Sequence, residues 1–194
     1  MGLIIHYTGK IKDISKLEDM VEEVQDIASV YQWKYTLYNK FSVTDKNNNT
    51  HILNGISFTP PDCEAVSLCF LKDRKLCCPV NLQYGDINTP QETLFLSVKT
   101  QFGGLANHII LITLLKYISG KYLESFTLKD ESKLLETENI AIAQQKFEQY
   151  NQFIHATSAA FQILVMEPDE SIEDYAKRSA RYLESNQKNK DPNC

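Results

Sequence analysis

Positive charge is scarce in this chain: 20 Lys and Arg stand against 25 Asp and Glu, for a formal net charge of -5 and a pI near 5.4. That balance argues against broad electrostatic binding of nucleic acid, which needs a surplus of Lys and Arg to displace counterions from phosphates. Long apolar runs are missing too. The longest aliphatic stretch, Ile109 to Leu115 with Thr113 inside it, falls far short of the ~20 residues that a membrane span requires. The opening "MGLIIHYTGKIKD" lacks a basic leader followed by an extended apolar segment, so no secretory signal is read and a cytoplasmic protein is expected. Position 6 is His6 where N-myristoylation requires Ser or Thr.

Glycine signatures for phosphate are equally absent. A dinucleotide fingerprint needs three spaced glycines, and a P-loop needs GxxxxGK[ST]. The stretch "TQFGGLANH" offers only the pair Gly103-Gly104. Free amides at a helix start can hold an anion, but a tight strand-to-helix turn is the favoured reading of a lone glycine pair. No CxxC pair occurs among Cys63, Cys69, Cys77, Cys78 and Cys194. An odd count without a leader reads as free thiols in a reducing compartment, with no metal site and no cofactor expected. The Asn48-Asn49-Thr50 sequon is then a chance match.

What is present fits one soluble α+β domain. The chain has 194 residues, 43% hydrophobic and 23% charged, enough for one substantial core. A single domain is expected over residues 1–184, followed by a disordered polar tail over 185–194. Alternating apolar positions predict strands over Gly2–Thr8, Lys34–Val43, Ile52–Thr59, Ala65–Leu71, Arg74–Cys78 and Leu94–Gln101, with hairpin strands over Ser125–Lys129 and Lys133–Thr137. Pro79–Gln91 reads as loop. Ser15-x-x-Glu18 is a capping box for a helix whose stripe is Leu17, Met20, Val21, Val24, Ile27, Ala28 and Tyr31. Leu105–Ile118 is apolar nearly all round, as in a helix buried on a sheet. A long helix over Ile140–Leu164 carries a narrow seam that includes Ala143, Phe147, Tyr150 and Ile154. A final helix starts at Ser171-x-x-Asp174 and turns Ile172, Tyr175, Ala176, Ser179 and Leu183 inward. Hairpins mixed with isolated helices predict one mostly antiparallel sheet with helices packed on one face.

The residues that could carry chemistry are scattered. Lys99 and Gln101 share a strand face, and His108 follows in the first turns of a helix. Glu136 and Glu138 would share a face if extended, and close carboxylates can divide acid and base roles; a solvated hairpin edge is the plainer reading. Cys63, after a proline turn and beside Glu64, is the thiol best placed to react, and His6 or His108 could serve as its base only if the fold brings them together. Five acids, including Glu18, Glu22 and Glu23, cluster on the first long helix, and Lys177, Arg178 and Arg181 form an opposite patch. Either is a solvated face or a partner surface.

The segments "GLIIHYTGKIKD", "PPDCEAVSLCF" and "VKTQFGGLANH…LLETEN" together resemble an uncharacterised bacterial family of hypothetical proteins, over Gly2 to Asn139. That resemblance implies no activity and no catalytic residues. It directs attention to His6, Glu64, Lys99, Gln101, His108 and Glu138 as one cleft on a sheet. The expectation is a binding or protein-interaction module that uses the acidic helix face (Glu18, Glu22, Glu23) or the polar cleft (Glu64, Gln101). It would have a protein partner, no nucleic acid or membrane, and an unknown small-molecule ligand. The competing expectation is a small hydrolase-like enzyme with His6, Lys99, His108 or Glu138 in its site. An inhibitor that occludes a basic partner is a third.

Overall fold

The sheet begins with β1 (Ile4–Ile11), whose Ile5, Tyr7 and Ile11 are buried while Ile4, His6 and Thr8 alternate on the other face. The fold is that of a computed structural model, which describes residues 3–84 and 96–188. The other strands are β2 (Lys34–Thr44), β3 (Thr50–Thr59), β4 (Val66–Phe70), β5 (Leu76–Cys77), β6 (Leu96–Lys99) and β7 (Leu123–Asp130). The helices are α1 (Leu17–Val30), α2 (Pro79–Tyr84), α3 (Gly104–Tyr122), α4 (Leu134–Thr137), α5 (Ile140–Ile163) and α6 (Ile172–Lys188). The α+β class holds and every pairing between strands is antiparallel. The strands form two sheets, however, of order β6-β1-β7 and β2-β3-β4-β5. The extra division arises where β5 stops after two residues and only the bridge from Lys10 to Lys75 continues toward β1.

One core is shared by both sheets and by α1 and α3. It contains Ile5, Tyr7 and Ile11 from β1, Ile56, Phe58, Leu68 and Phe70 from the second sheet, and Met20, Val24, Leu111, Leu115 and Ile118 from the helices. A smaller cluster of Val43, Leu53, Cys69, Cys77 and Leu82 lies under α2. The expected helical stripe is thus buried at Leu17, Met20, Val24 and Ala28, while α3 buries one face, including Leu111, Leu114, Leu115 and Ile118, and leaves Thr113, Lys116 and Tyr117 exposed. Cys69 and Cys77 pack as small hydrophobes, and burial pushes the Cys69 thiol up to about 12.

Several local expectations change. The Ser15 hydroxyl does not cap α1; Asp13 caps a short 3-10 turn, Ile14–Lys16, by accepting from the Ser15 amide at 2.9 Å. Lys133–Thr137 is not a strand, because Asp130 draws in the amides of Ser132 and Leu134 and winds the chain into α4. Pro79–Tyr84 is helical rather than loop, with proline in its first position where no amide is needed. The remainder of that expected loop, residues 85–91, lies outside the described residues, as do Met1, Gly2, Leu94, Phe95 and Cys194.

Where sequence reading expects one domain over 1–184, contacts gather into two compact units, Met1–Phe147 and Glu148–Cys194. In the second, the Tyr175 hydroxyl donates to the Leu164 carbonyl at 2.7 Å and Arg178 holds Glu170 and the Val165 carbonyl. Asp174 N donates to Ser171 Oγ as the predicted cap requires. Ile172, expected inward, is 79% exposed, while Ser179 is buried. The last helix runs through Lys188, so the start of the expected disordered tail is helical; residues 189–194 lie outside the described residues.

The two sheets are joined by Tyr7. Its hydroxyl donates to the Ser67 carbonyl at 3.0 Å and accepts from the Ser67 amide at 2.9 Å. It thereby serves the edge of β4 at a level beyond the end of β5. Full burial raises the phenol's pKa far above its ordinary value, so it keeps its proton and both bonds. Phe at this position would leave a buried N–H and C=O with no partner. We predict that Tyr7→Phe lowers unfolding stability by about 1–3 kcal/mol in urea titrations without changing the denaturant slope; a loss below about 0.5 kcal/mol would show that the joint is held by packing alone.

Candidate functional site

Four polar side chains meet at the open end of the first sheet. Thr100 follows β6, Asp130 ends β7, Ser132 lies in the turn after it, and His108 sits in the second turn of α3. His108 Nε2 lies 2.8 Å from Asp130 Oδ1 and 2.9 Å from Ser132 Oγ, and Nδ1 lies 2.6 Å from Thr100 Oγ1. An ionised Asp130 only accepts, so Nε2 carries a hydrogen directed at it. Thr100 Oγ1 also stands 3.3 Å from the Leu3 carbonyl, whose oxygen accepts from the Thr100 amide at 3.0 Å. Asp130 further accepts from Ser132 Oγ and the amides of Ser132 and Leu134, each at 2.8 Å. Phe147 closes the site with its ring 5.3 Å from that of His108, edge to face.

Thr100 and Asp130 occupy opposite ring nitrogens, as the hydroxyl and carboxylate do in a nucleophilic relay. Access decides against that role. Thr100, His108 and Ser132 are wholly buried, and so is the Asp130 carboxylate. None of these four lines any of the grooves described below. The network ties β1, β6, β7 and α3 together and satisfies its own polar groups.

The single cleft expected from His6, Glu64, Lys99, Gln101, His108 and Glu138 divides among separate places. His6 pairs across β1 with Ser97 and Lys129, and Lys99 pairs with Ile4, so both point away from the core face that holds His108. His6 instead lies 3.7 Å from Glu131. Glu64 borders the free edge of β6: its carboxylate accepts from the Lys99 amide at 2.9 Å and its amide donates to the Lys99 carbonyl at 3.0 Å. Gln101 is buried just after β6. Glu138, in a left-handed conformation after α4, rims an apolar groove of about 300 Å³ with Ile109, Ile112, Leu134 and Leu135. A second apolar groove, about 340 Å³, lies between Ile27 of α1 with Tyr31 just after it and Ile109, Ile110 and Tyr117 of α3. His6, Lys99, His108 and Glu138 therefore do not meet in one place.

The other motifs resolve similarly. A Cβ on Gly103 would stand on the Cys63 sulfur and 2.8 Å from the Pro61 carbonyl, while Gly104 has φ +76°. One glycine permits close approach and the other a left-handed turn, which is the structural reading of the pair. Burial, with Asp62 nearby, pushes the Cys63 thiol up to about 11, opposite to what a nucleophile needs. Among the basic patch, Lys177 pairs with Glu173 and Arg178 with Glu170.

The acidic helix face divides in two. Glu23 turns inward to receive the hydroxyls of Tyr117 and Tyr122 and the Lys121 ammonium, clamping α1 to α3. Glu18 and Glu22 stay exposed along a groove of about 590 Å³ between α1 and the β2–β3 strands. Leu17, Val21 and Leu37 give it an apolar floor, with Ile14 at one end and Gln25, Asn39 and Asn54 offering hydrogen bonds. Sequence reading missed the β2–β3 wall entirely. Its signal was the pair Leu37 and Tyr38 in β2, both of which line the groove.

Hydrogen bonding leaves a titration signature on the buried network. Burial alone would raise the Asp130 pKa, but bonds from His108, Ser132 Oγ and the Ser132 amide outweigh it and hold the carboxyl at about 2, against an ordinary 3.8. The unfolded chain therefore binds the proton more tightly. Stability should be complete above about pH 5 and fall by about 2 kcal/mol as pH drops toward 2. Asp45, held at about 2 against burial by His51, Asn49 and Asn47, contributes in the same window. We predict that Asp130→Asn destabilises the protein at pH 7 and reduces this acid slope in urea melts, leaving the part due to Asp45 and the other carboxyls held below their ordinary range, Glu23 among them. An unchanged slope would show that the carboxyl is not charged in the fold. Comparison with known proteins finds no matching family model, no matching curated protein and no matching solved structure.

Proposed function

We propose that this protein is an interaction module whose α1–β2 groove receives a basic, partly apolar segment of a protein partner. One observation carries the reading. The groove is rimmed by Glu18 and Glu22, none of its lining residues is Lys, Arg or His, and Ile14 and Leu37 within it stay about half exposed, at 52% and 48%. Exposed apolar side chains in a concave surface mark contact sites. Two unopposed carboxylates set the sign of what docks there, since complementary charge steers association and rejects partners of the wrong sign. Lys and Arg suit such a groove because their aliphatic stems can lie on Leu37 and Ile14 while their heads reach the carboxylates.

A cytoplasmic setting is consistent with the sequence, and among the described residues no helix is long and apolar enough to cross a membrane. The interaction reading is favoured over the enzyme one because His108 is sealed in the core and His6 stands on the opposite face of the sheet.

The test is calorimetric titration of the full chain with a ten-residue peptide alternating Lys and Val, compared with one alternating Glu and Val. The Lys peptide should bind with a Kd on the order of tens of micromolar, and the Glu peptide should not. Glu18→Gln with Glu22→Gln should weaken binding about tenfold, the expected scale for two exposed charge pairs. Asp26→Asn, an exposed acid of α1 away from the groove, should leave it unchanged. Equal binding of both peptides, no binding, or indifference to the Glu18 and Glu22 changes would overturn the proposal.

A further inference from the structure

We infer that the partner segment binds as an added β-strand along the outer edge of β2, over Lys34–Tyr38. This inference rests on the groove reading above and specifies its mode. Among the described residues β2 pairs only with β3, so the amides and carbonyls of its other edge face outward. All of its residues except Tyr38 and Val43 are exposed. An open strand edge of this kind is a template for main-chain hydrogen bonding, and strand addition is a recurrent mode of peptide recognition.

The length of the site is set by a break in register. Lys34 to Tyr38 pair regularly with Thr59 to Gly55, and then Asn39 and Lys40 bulge out before Phe41 resumes opposite Leu53. Lys40 takes φ +49° there and donates its amide to Asn54 Oδ1 at 2.8 Å. Five regular residues, ~17 Å of strand, are therefore available for pairing. Tyr35 and Leu37 lie opposite Phe58 and Ile56 and so face α1; Tyr35 accepts a hydrogen bond from Gln25 of that helix at 3.1 Å. Every second side chain of an added strand would project to the same side, over Leu37 and toward Glu18 and Glu22. Those positions select Lys or Arg, and the intervening ones face away. Basic residues at alternate positions are thus the recognised pattern.

The occupant is a partner and not a second copy. Two copies pairing through β2 about a two-fold axis normal to the sheet would put both α1 helices on the same side, acidic faces toward each other. The bulge at Asn39 and Lys40 also hinders self-pairing.

Backbone methylation of the probe peptide tests the inference on the unmodified full-length protein. Two versions of the alternating Lys/Val peptide carry N-methyl groups on every second amide, one set on the Lys residues and the other on the Val residues. In a strand, alternate amides point to opposite edges. One version should lose at least about tenfold in affinity, through the loss of two or three hydrogen bonds, and the other should bind within about twofold of the parent. If both bind as the parent does, side chains alone dock in the groove; if both fail, the peptide is not extended. Either result overturns strand addition and leaves the groove reading standing. If the parent peptide itself does not bind, the groove reading falls and this inference with it. A dimer seen by sedimentation at the titration concentration, dissociating as peptide binds, would identify a second copy as the occupant and overturn the choice of partner.

Discussion

The phenol of Tyr7 occupies the place where a longer β5 would have continued, and the two-sheet arrangement depends on it. Strand β4 is paired along one edge by β3 but only at its far end by β5, so the amide and carbonyl of Ser67 face β1 across a gap in the ladder. A buried peptide group in that position requires a donor and an acceptor at once. A hydroxyl held neutral by burial is among the few side-chain groups that supply both. Because Tyr7 belongs to the central strand of the other sheet, satisfying Ser67 also fixes the distance between the sheets. That spacing is filled by Phe58, Phe70, Met20 and Ile118 in one continuous core.

The same economy governs the buried network around His108. His108, Asp130, Ser132 and Thr100 are the residue types from which hydrolytic sites are built, and here they neutralise each other's hydrogen-bonding needs at the end of a sheet. Asp130 accepts from two side chains and two turn amides at good distance, which organises the turn into α4. The Glu23 clamp does comparable service between α1 and α3. Polar groups that look reactive in a sequence are, in this fold, the fasteners between elements. Among the features that face outward are a groove with acid on its rim and an edge strand beside it.

Legibility followed periodicity. The α1 stripe, the apolar α3, β2 through β4 and the Ser171 cap could be read directly because each depends on neighbours within a few residues. The burial of Asp130 could not be read locally, since its partner His108 is 22 residues away. Glu18, Glu22 and Glu23 are indistinguishable by position on a helix face until α3 arrives beside Glu23 with two tyrosines and a lysine. Leu37 carried too little signal for the groove wall to be drawn from one strand alone.

By itself the sequence determined that this is an α+β chain with an acidic first helix, free cysteines and no glycine-rich phosphate loop. Those properties follow from local propensity, composition and fixed spacing. Only tertiary structure decided that there are two sheets, that His108 is sealed in, that His6 and Lys99 lie on the opposite face from it, and that two of the three helix glutamates remain outside. Each of those outcomes turns on which side chain finds a hydrogen-bond partner from a distant strand or helix, and that choice is made when the chain packs.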